Sequence, residues 1–129
     1  MKRIDPATAA LLQPFVPGLD LGSVRIVEGG PVCWFVRRVL RQGAMTVAPF
    51  IFYGRSRFDA AGLPSVALLG HELRHVEQYR HYGHVTFLFR YLRDLAANRF
   101  RYSRDLPLEA ECYALQARIA QDLRPRFTQ

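Results

Sequence analysis

Cysteine is scarce in this chain, which has only Cys33 and Cys112 among its 129 residues. Two thiols are too few for the disulfide frameworks that hold small secreted domains together. Both lie within apolar patterns, and we interpret them as reduced core residues of a cytoplasmic protein. The first ten residues also lack the apolar run of a secretory signal, since Asp5 and Pro6 occupy that place, so no export signal is expected.

Long apolar runs are missing as well. No stretch approaches the roughly 20 uninterrupted apolar residues that a membrane-spanning helix needs. Hydrophobic residues nevertheless make up 50% of the chain, with 22% charged residues and a mean hydropathy of −0.06, values typical of a globular domain. We therefore expect one domain over residues 1–129 with no membrane span.

Lysine is nearly absent, because Lys2 is the only one and arginine supplies the rest of the 18 basic side chains. Together with 11 acidic side chains they give a formal net charge of +7. Residues 1–70 hold 8 basic and 4 acidic side chains, and residues 71–129 hold 10 and 7, so the charge is spread. Nucleic-acid-binding proteins usually cluster their basic residues. No specific nucleic-acid partner is expected, whereas weak attraction to acidic substrates stays open.

The spacing of apolar residues predicts a compact α+β fold, in which a small β-hairpin or sheet packs on a central helix and two further C-terminal helices. Asp5 is expected to cap the first helix and Ser65 the central helix, which Gly83 ends. Pro49 is expected at a sheet edge, at a bulge or in a turn, and Pro125 is expected to close the last helix. The predicted elements are, in chain order, a helix over 7–13, a strand over 23–28, a helix over 32–41, a hairpin over 44–53, and helices over 65–82, 85–102 and 107–124.

The central helix carries the sequence His71-Glu72-Leu73-Arg74-His75, which is the H-E-x-x-H pattern. Residues four apart project from the same face of a helix, so His71 and His75 can converge on one Zn²⁺. Glu72 lies about 100° round the helix, where its carboxylate can act as general base on a zinc-bound water. A random chain of this composition would contain the pattern only about 0.005 times, so a merely polar helix face is the weaker alternative.

A catalytic zinc site needs a third protein ligand and one open position. The segment Pro107–Tyr113 offers Glu109 and Glu111, each about 80° from the centre of an apolar stripe along the last helix. That stripe consists of Leu108, Cys112, Leu115 and Ile119. Periodicity alone does not choose between the two carboxylates.

These motifs resemble the gluzincin branch of zinc metallopeptidases, in which H-E-x-x-H on one helix is completed by a glutamate on a later helix, often within E-x-x-A/S-D. In this resemblance Glu109 takes the place of the ligand glutamate and Cys112 that of the small residue. Tyr113 stands where the family has an aspartate, which is a departure from the pattern. Residues 24–120 look more closely similar to short bacterial zincin-like domains with H-E-L-x-H-x-x-Q and a downstream E-x-E.

The resemblance implies a zincin-like fold and a zinc-dependent peptidase whose metal ligands are His71, His75 and Glu109. It also implies that a peptide or protein substrate aligns on an edge strand, which the analogy places in residues 46–53. The alternative from another class is a non-catalytic zinc-binding module, in which the metal joins two helices and a partner binds elsewhere. The presence of Glu72 favours hydrolysis.

Two supporting roles follow from spacing. Gln78 lies three residues past His75 and is expected either to orient a metal ligand or to cap a buried carbonyl. Peptide hydrolysis needs a donor for the oxyanion, and Tyr113, one turn beyond Glu109, is the first choice, with a plain core tyrosine as the alternative. The other candidate donors are Tyr79, His81, His84 and Tyr102.

Residues 86–104 interleave aromatic side chains with five arginines, a composition that suits an anionic membrane surface or nucleic acid. The alternative is an ordinary amphipathic helix with Leu88, Leu92 and Leu95 as its core face, from which Phe89 departs. We expect the ordinary helix, with at most weak contact with a membrane surface. The sequence does not indicate an oligomeric state.

Overall fold

Every element expected from apolar periodicity is present in residues 1–128, the part of the chain that this computed structural model describes. The fold is α+β, as predicted. Its elements are α1 (Pro6–Leu12), β1 (Arg25–Val27), α2 (Pro31–Arg38), β2 (Ala44–Val47), β3 (Phe50–Tyr53), α3 (Leu63–Tyr82), α4 (His84–Ala97) and α5 (Pro107–Phe127). Over this range, no helix is both long and apolar enough to cross a membrane.

Asp5 caps α1, as its place before Pro6 predicts. Its carboxylate accepts a hydrogen bond from the Thr8 backbone nitrogen at 3.0 Å and another from the Thr8 hydroxyl at 2.7 Å. These bonds satisfy a backbone donor that has no partner within the helix. The cap therefore fixes where the first helix begins.

The three strands form one small sheet in the order β1-β3-β2. β1 runs parallel to β3, and β2 runs antiparallel to it, with Ala44 opposite Tyr53 and Val47 opposite Phe50. Pro49 lies in the turn between β2 and β3, one of the three placements that the sequence allows. Of the segment 46–53 expected at an edge, only the β2 part lies there, because β3 is paired on both sides.

Helix α3 is the centre of the fold and packs against α5, β2 and α4. It begins at Leu63 with Pro64 in its first turn, so the prediction that Ser65 caps it is wrong. Proline has the φ angle of a helix already fixed and starts the helix earlier. The Ser65 hydroxyl instead accepts a hydrogen bond from the Asp59 backbone nitrogen at 2.8 Å. Gly83 ends α3 with a φ of 80°, as predicted.

Helices α3 and α5 come very close at Gly70. A Cβ atom at this position would lie 2.1 Å from Ile119 Cδ1 and 3.6 Å from Leu12 Cδ2. The first distance is far shorter than a van der Waals contact, so the absence of a side chain permits this spacing of the helices. Gly70 immediately precedes His71, and the same contact therefore sets how near α5 comes to the histidines.

Four helices end at residues other than those predicted: α1 ends at Leu12 rather than at residue 13, and α2 ends at Arg38 rather than at residue 41. Helix α4 ends at Ala97 rather than near residue 102, because Arg99 and Phe100 have φ values of 57° and 58°, which a helix cannot continue. Helix α5 continues past Pro125 to Phe127. A proline removes one backbone donor, but Phe127 packs against the hydrophobic core and keeps the last turn in place.

The predicted core face of α4 is also wrong. Leu88 and Leu92 are 49% and 57% exposed, and Phe87 is the buried side chain. The Phe87 ring stacks on Tyr79 of α3 with their centroids 3.9 Å apart. This aromatic contact, rather than a leucine stripe, sets the rotation of α4. Phe89 is exposed, as predicted.

Candidate metal centre

Helices α3 and α5 bring four ionisable side chains together in the interior. His71, Glu72 and His75 lie on α3, and Glu109 lies in the first turn of α5. Their exposed fractions are 4%, 3%, 6% and 6%. Burying such groups costs free energy unless they pair with one another or bind an ion. A solvated polar helix face does not describe this cluster.

The two histidines converge on one carboxylate oxygen. His71 Nε2 lies 3.1 Å from Glu109 Oε1, and His75 Nε2 lies 3.0 Å from the same atom. Glu111, the other carboxylate that periodicity allows, is exposed and forms an ion pair with Arg74 at 3.5 Å. Tertiary packing therefore places Glu109, and not Glu111, beside the histidines.

A glutamine stands behind each histidine. His71 Nδ1 lies 2.9 Å from Gln116 Oε1. His75 Nδ1 lies 2.9 Å from Gln78 Oε1, and the Gln78 amide nitrogen donates to the Leu108 carbonyl at 2.9 Å, which fixes the amide orientation. A carbonyl oxygen only accepts hydrogen bonds, so Nδ1 of each ring donates, and when the ring is neutral its lone pair is on Nε2. Gln78 thus caps a buried carbonyl, one of the two roles considered for it, and it also contacts His75.

With both rings neutral, two acceptor nitrogens lie about 3 Å from the same acceptor oxygen, which is favourable only with a positive charge between them. Protons on the two Nε2 atoms can also supply that charge: burial opposes the charge on Glu109, but in that state hydrogen bonds from His71 and His75 lower its pKa to about 2. Burial likewise disfavours a charged His75, yet its hydrogen bonds with Cys112 and Glu109 raise its pKa well above 6.5. The cluster favours a cation, and two imidazole nitrogens with one carboxylate oxygen are a donor set that suits zinc.

The carboxylate of Glu72 lies beside these atoms without joining them. Its Oε1 accepts a hydrogen bond from the Thr46 hydroxyl of β2 at 3.0 Å. Its Oε2 lies 3.7 Å from His71 Nε2. Burial raises the pKa of Glu72, and the neighbouring His75 and His71 oppose this only in part. A carboxylate with a raised pKa next to a cation site can accept and release a proton.

Cys112 also belongs to this cluster. His71, His75 and Cys112 each offer a ligand atom, and these atoms lie within 4.8 Å of one another, so the group could hold a metal ion. The Cys112 Sγ donates to the Leu108 carbonyl at 3.3 Å and lies 3.6 Å from His75 Nδ1. Cys112 is a buried free thiol, as the sequence predicts, but it has a polar contact that an ordinary core residue lacks.

Three tyrosines surround the cluster. The ring of Tyr113, the predicted oxyanion donor, lies edge-on against His71 with centroids 4.4 Å apart. Its hydroxyl lies 2.5 Å from that of Tyr102. Tyr91 of α4 donates to Glu109 Oε2 at 2.9 Å, a contact that the sequence did not predict. Because the apolar pattern gave the wrong rotation for α4, no sequence signal pointed Tyr91 toward the site.

One residue of the site was not predicted, and three predicted candidate donors lie outside the site. Gln116 was missed, although it lies seven residues after Glu109, two turns along the same helix face, and this spacing could have identified it. Tyr79 donates to the backbone of β2 at 3.2 Å, and His84 contacts the carbonyl before Pro49 at 2.8 Å. His81 is exposed. None of these last three side chains contacts the cluster through the bonds described.

Comparison with known proteins gives one family. The pattern of the eCIS core domain, where eCIS denotes an extracellular contractile injection system, matches residues 3–83. This range includes His71, Glu72 and His75 but ends before Glu109, so the gluzincin resemblance rests on the motifs alone. No curated protein and no solved structure matches the chain. Because the match spans more than half of its length, the chain belongs to the eCIS core domain family.

Proposed function

We propose that this chain is a zinc-dependent metallopeptidase that hydrolyses peptide bonds. The metal ligands are His71, His75 and Glu109, and the general base is Glu72. The convergence of both Nε2 atoms on Glu109 Oε1 carries the proposal. Across residues 1–128, the ion pairs of Glu72 and Glu109 involve only histidines, so a divalent cation would balance two buried carboxylates.

Glu109 is preferred to Cys112 as the third ligand because of the nitrogen that each faces. Glu109 Oε1 faces the Nε2 lone pairs, whereas the Cys112 sulfur lies near His75 Nδ1, which donates to Gln78. Hydrogen bonds to the far side of metal ligands usually fix their orientation. The contact of Tyr91 with Glu109 Oε2 has this form and leaves Oε1 for the metal.

A bound zinc ion would supply Lewis-acid activation of water and of the scissile carbonyl. Glu72 takes the proton of the attacking water on Oε2, since Thr46 occupies Oε1, and returns it to the leaving amine. Tyr113 donates its hydroxyl to the oxyanion, exchanging its bond with Tyr102 for one with substrate. An extended peptide along the outer edge of β2 would pass beside Glu72.

The second candidate is a non-catalytic zinc-binding module that works within a contractile injection system. The family match favours a part in such a system. The His71, His75 and Cys112 group favours a metal that joins α3 to α5. Under this proposal Glu72 has no part in turnover.

Metal content tests the ligand set. We expect inductively coupled plasma mass spectrometry to find one zinc per chain in the unaltered protein and in Glu111→Gln, a matched control on the same helix. Glu109→Gln should lose the zinc, and Cys112→Ala should keep it. If Glu109→Gln keeps the zinc and Cys112→Ala loses it, the Cys112 sulfur is the third ligand. Absence of metal from the unaltered chain would overturn both the peptidase and the zinc-binding module.

Cleavage of an unbiased peptide library, read by mass spectrometry, tests the activity. The zinc-loaded chain should cut peptides, and Glu72→Gln should keep its zinc and lose at least about 100-fold in rate. A chain that binds zinc and cuts no peptide would refute the peptidase and leave the zinc-binding module.

A further inference from the structure

A groove of about 330 Å³ lies between the start of α3 and the middle of α5. Its floor is apolar and is formed by Leu63 and Ala67 from α3 and by Ala117 and Ala120 from α5. Small side chains on both helices leave this space open. A groove with an apolar floor can accept an extended chain segment.

One end of the groove adjoins the candidate metal centre. Tyr113 and Gln116 line it, and both contact His71, through the ring and through Nδ1 respectively. From Tyr113 the groove follows α5 to Arg124, a distance of about 16 Å at 1.5 Å per residue. An extended peptide covers this distance with about five residues. A substrate cut at the metal could therefore continue into the groove.

The charged residues that line the groove are Arg104 and Arg124. The Arg104 guanidinium lies 4.2 Å from the centroid of the Tyr113 ring, which holds it in place. Neither arginine has an acidic partner among residues 1–128, and no acidic side chain lines the groove. Two guanidinium groups without counter-charges attract carboxylates, with which they form strong hydrogen bonds.

We propose that this groove binds an acidic segment of the substrate peptide, with Asp or Glu side chains at Arg104 and Arg124. The inference rests on the proposed peptidase function and names its substrate class. Arg124 selects a carboxylate several residues from the scissile bond, and Arg104 selects one nearer to it. Under this proposal the preference for acidic peptides comes from Arg104 and Arg124 and not from the overall net charge of +7.

Fluorescence anisotropy with labelled decapeptides tests the proposal on the zinc-loaded Glu72→Gln chain, which binds substrate without turnover. One peptide carries Glu at alternate positions, and its partner carries Gln there; both have blocked termini. We expect the Glu peptide to bind at least about 10-fold more tightly. A third peptide, the Gln version with a free C-terminal carboxylate, should bind like the blocked Gln peptide, and binding like the Glu peptide would show recognition of a chain end instead.

Charge-matched variants separate the groove from general electrostatics. Arg104→Gln with Arg124→Gln should reduce the preference for the Glu peptide to within about 2-fold. Arg37→Gln with Arg38→Gln removes the same charge from exposed positions on α2 and should leave the preference intact. Equal losses of the preference for the Glu peptide in the two double variants would overturn the proposal. Equal binding of the blocked Glu and blocked Gln peptides to the Glu72→Gln chain would overturn it as well.

A groove-filling variant keeps the test independent of the arginines. Ala117→Phe places a ring in the groove and should weaken binding of the Glu peptide by at least about 10-fold. Ala114→Phe is the matched control, because Ala114 is exposed on the same helix and does not line the groove. Two readouts distinguish the groove from the peptidase function. Binding of the Glu peptide by the metal-free chain would retain the groove, and absence of peptide cleavage by the zinc-loaded, unaltered chain would refute the peptidase.

Discussion

The contact between Gly70 and Ile119 allows a double-mutant cycle across the two helices that carry the site. Alanine in place of a mid-helix glycine normally stabilises a protein by about 1 kcal/mol. Here the new methyl would lie 2.1 Å from Ile119 Cδ1, and overpacking of this kind costs about 1–3 kcal/mol. Gly70→Ala should therefore lower the free energy of unfolding by about 0–2 kcal/mol.

Ile119→Val removes the Cδ1 methyl that the new Cβ would meet. Alone it should cost about 1 kcal/mol, because it leaves a small cavity. Combined with Gly70→Ala it makes room for the new methyl, so the double variant should unfold with nearly the wild-type free energy. The expected coupling between the two changes is about 1–2 kcal/mol.

Urea denaturation followed by circular dichroism measures all four proteins of the cycle. Zinc affinity should follow stability, weaker in Gly70→Ala and restored in the double variant, because the same contact sets the distance from α5 to His71. Effects that add to within about 0.5 kcal/mol would refute the reasoning. A Gly70→Ala variant that is more stable than the wild type would also refute it, because helix propensity alone would then determine the change in the free energy of unfolding.

Three further predictions concern single residues. Asp5→Ala should lower the free energy of unfolding by about 1 kcal/mol at pH 7. Hydrogen bonds from the Thr8 hydroxyl and backbone hold the Asp5 pKa below 3.8, so this contribution to stability is present above pH 3.8 and is lost as the pH falls through the folded-state pKa. The urea midpoints of the wild type and Asp5→Ala should therefore converge in acid. A constant difference between the two midpoints down to the most acidic samples would contradict the cap. Gln78→Ala should weaken zinc binding about 10- to 100-fold in a chelator competition assay, with Glu77→Gln as an unaffected neighbour; unchanged affinity would remove Gln78 from the site. Tyr113→Phe should lower the peptide cleavage rate about 100- to 1000-fold with zinc retained, and an unchanged rate would show that its hydroxyl does not meet the oxyanion.

The sequence determined the elements whose signals are local. The histidines four residues apart, the cap at Asp5 and the stop at Gly83 act within one or two turns of chain, so their placement follows from residue order. The apolar stripe of α5 was predicted correctly for the same reason, since Leu108, Cys112, Leu115 and Ile119 are all buried. Ser65 failed as a cap because Pro64, its immediate neighbour, starts the helix earlier.

Tertiary structure decided which faces of the helices meet. Glu109 and Glu111 lie at similar angles from the apolar stripe, and only the packing of α5 on α3 at Gly70 turns one of them toward the histidines. The stacking of Phe87 on Tyr79 decided the rotation of α4 and brought Tyr91 to Glu109. Periodicity defines the apolar side of a helix to within a wide arc, whereas a metal ligand or a hydrogen bond needs an atom placed to a few tenths of an ångström. That precision comes from contacts between side chains far apart in the sequence.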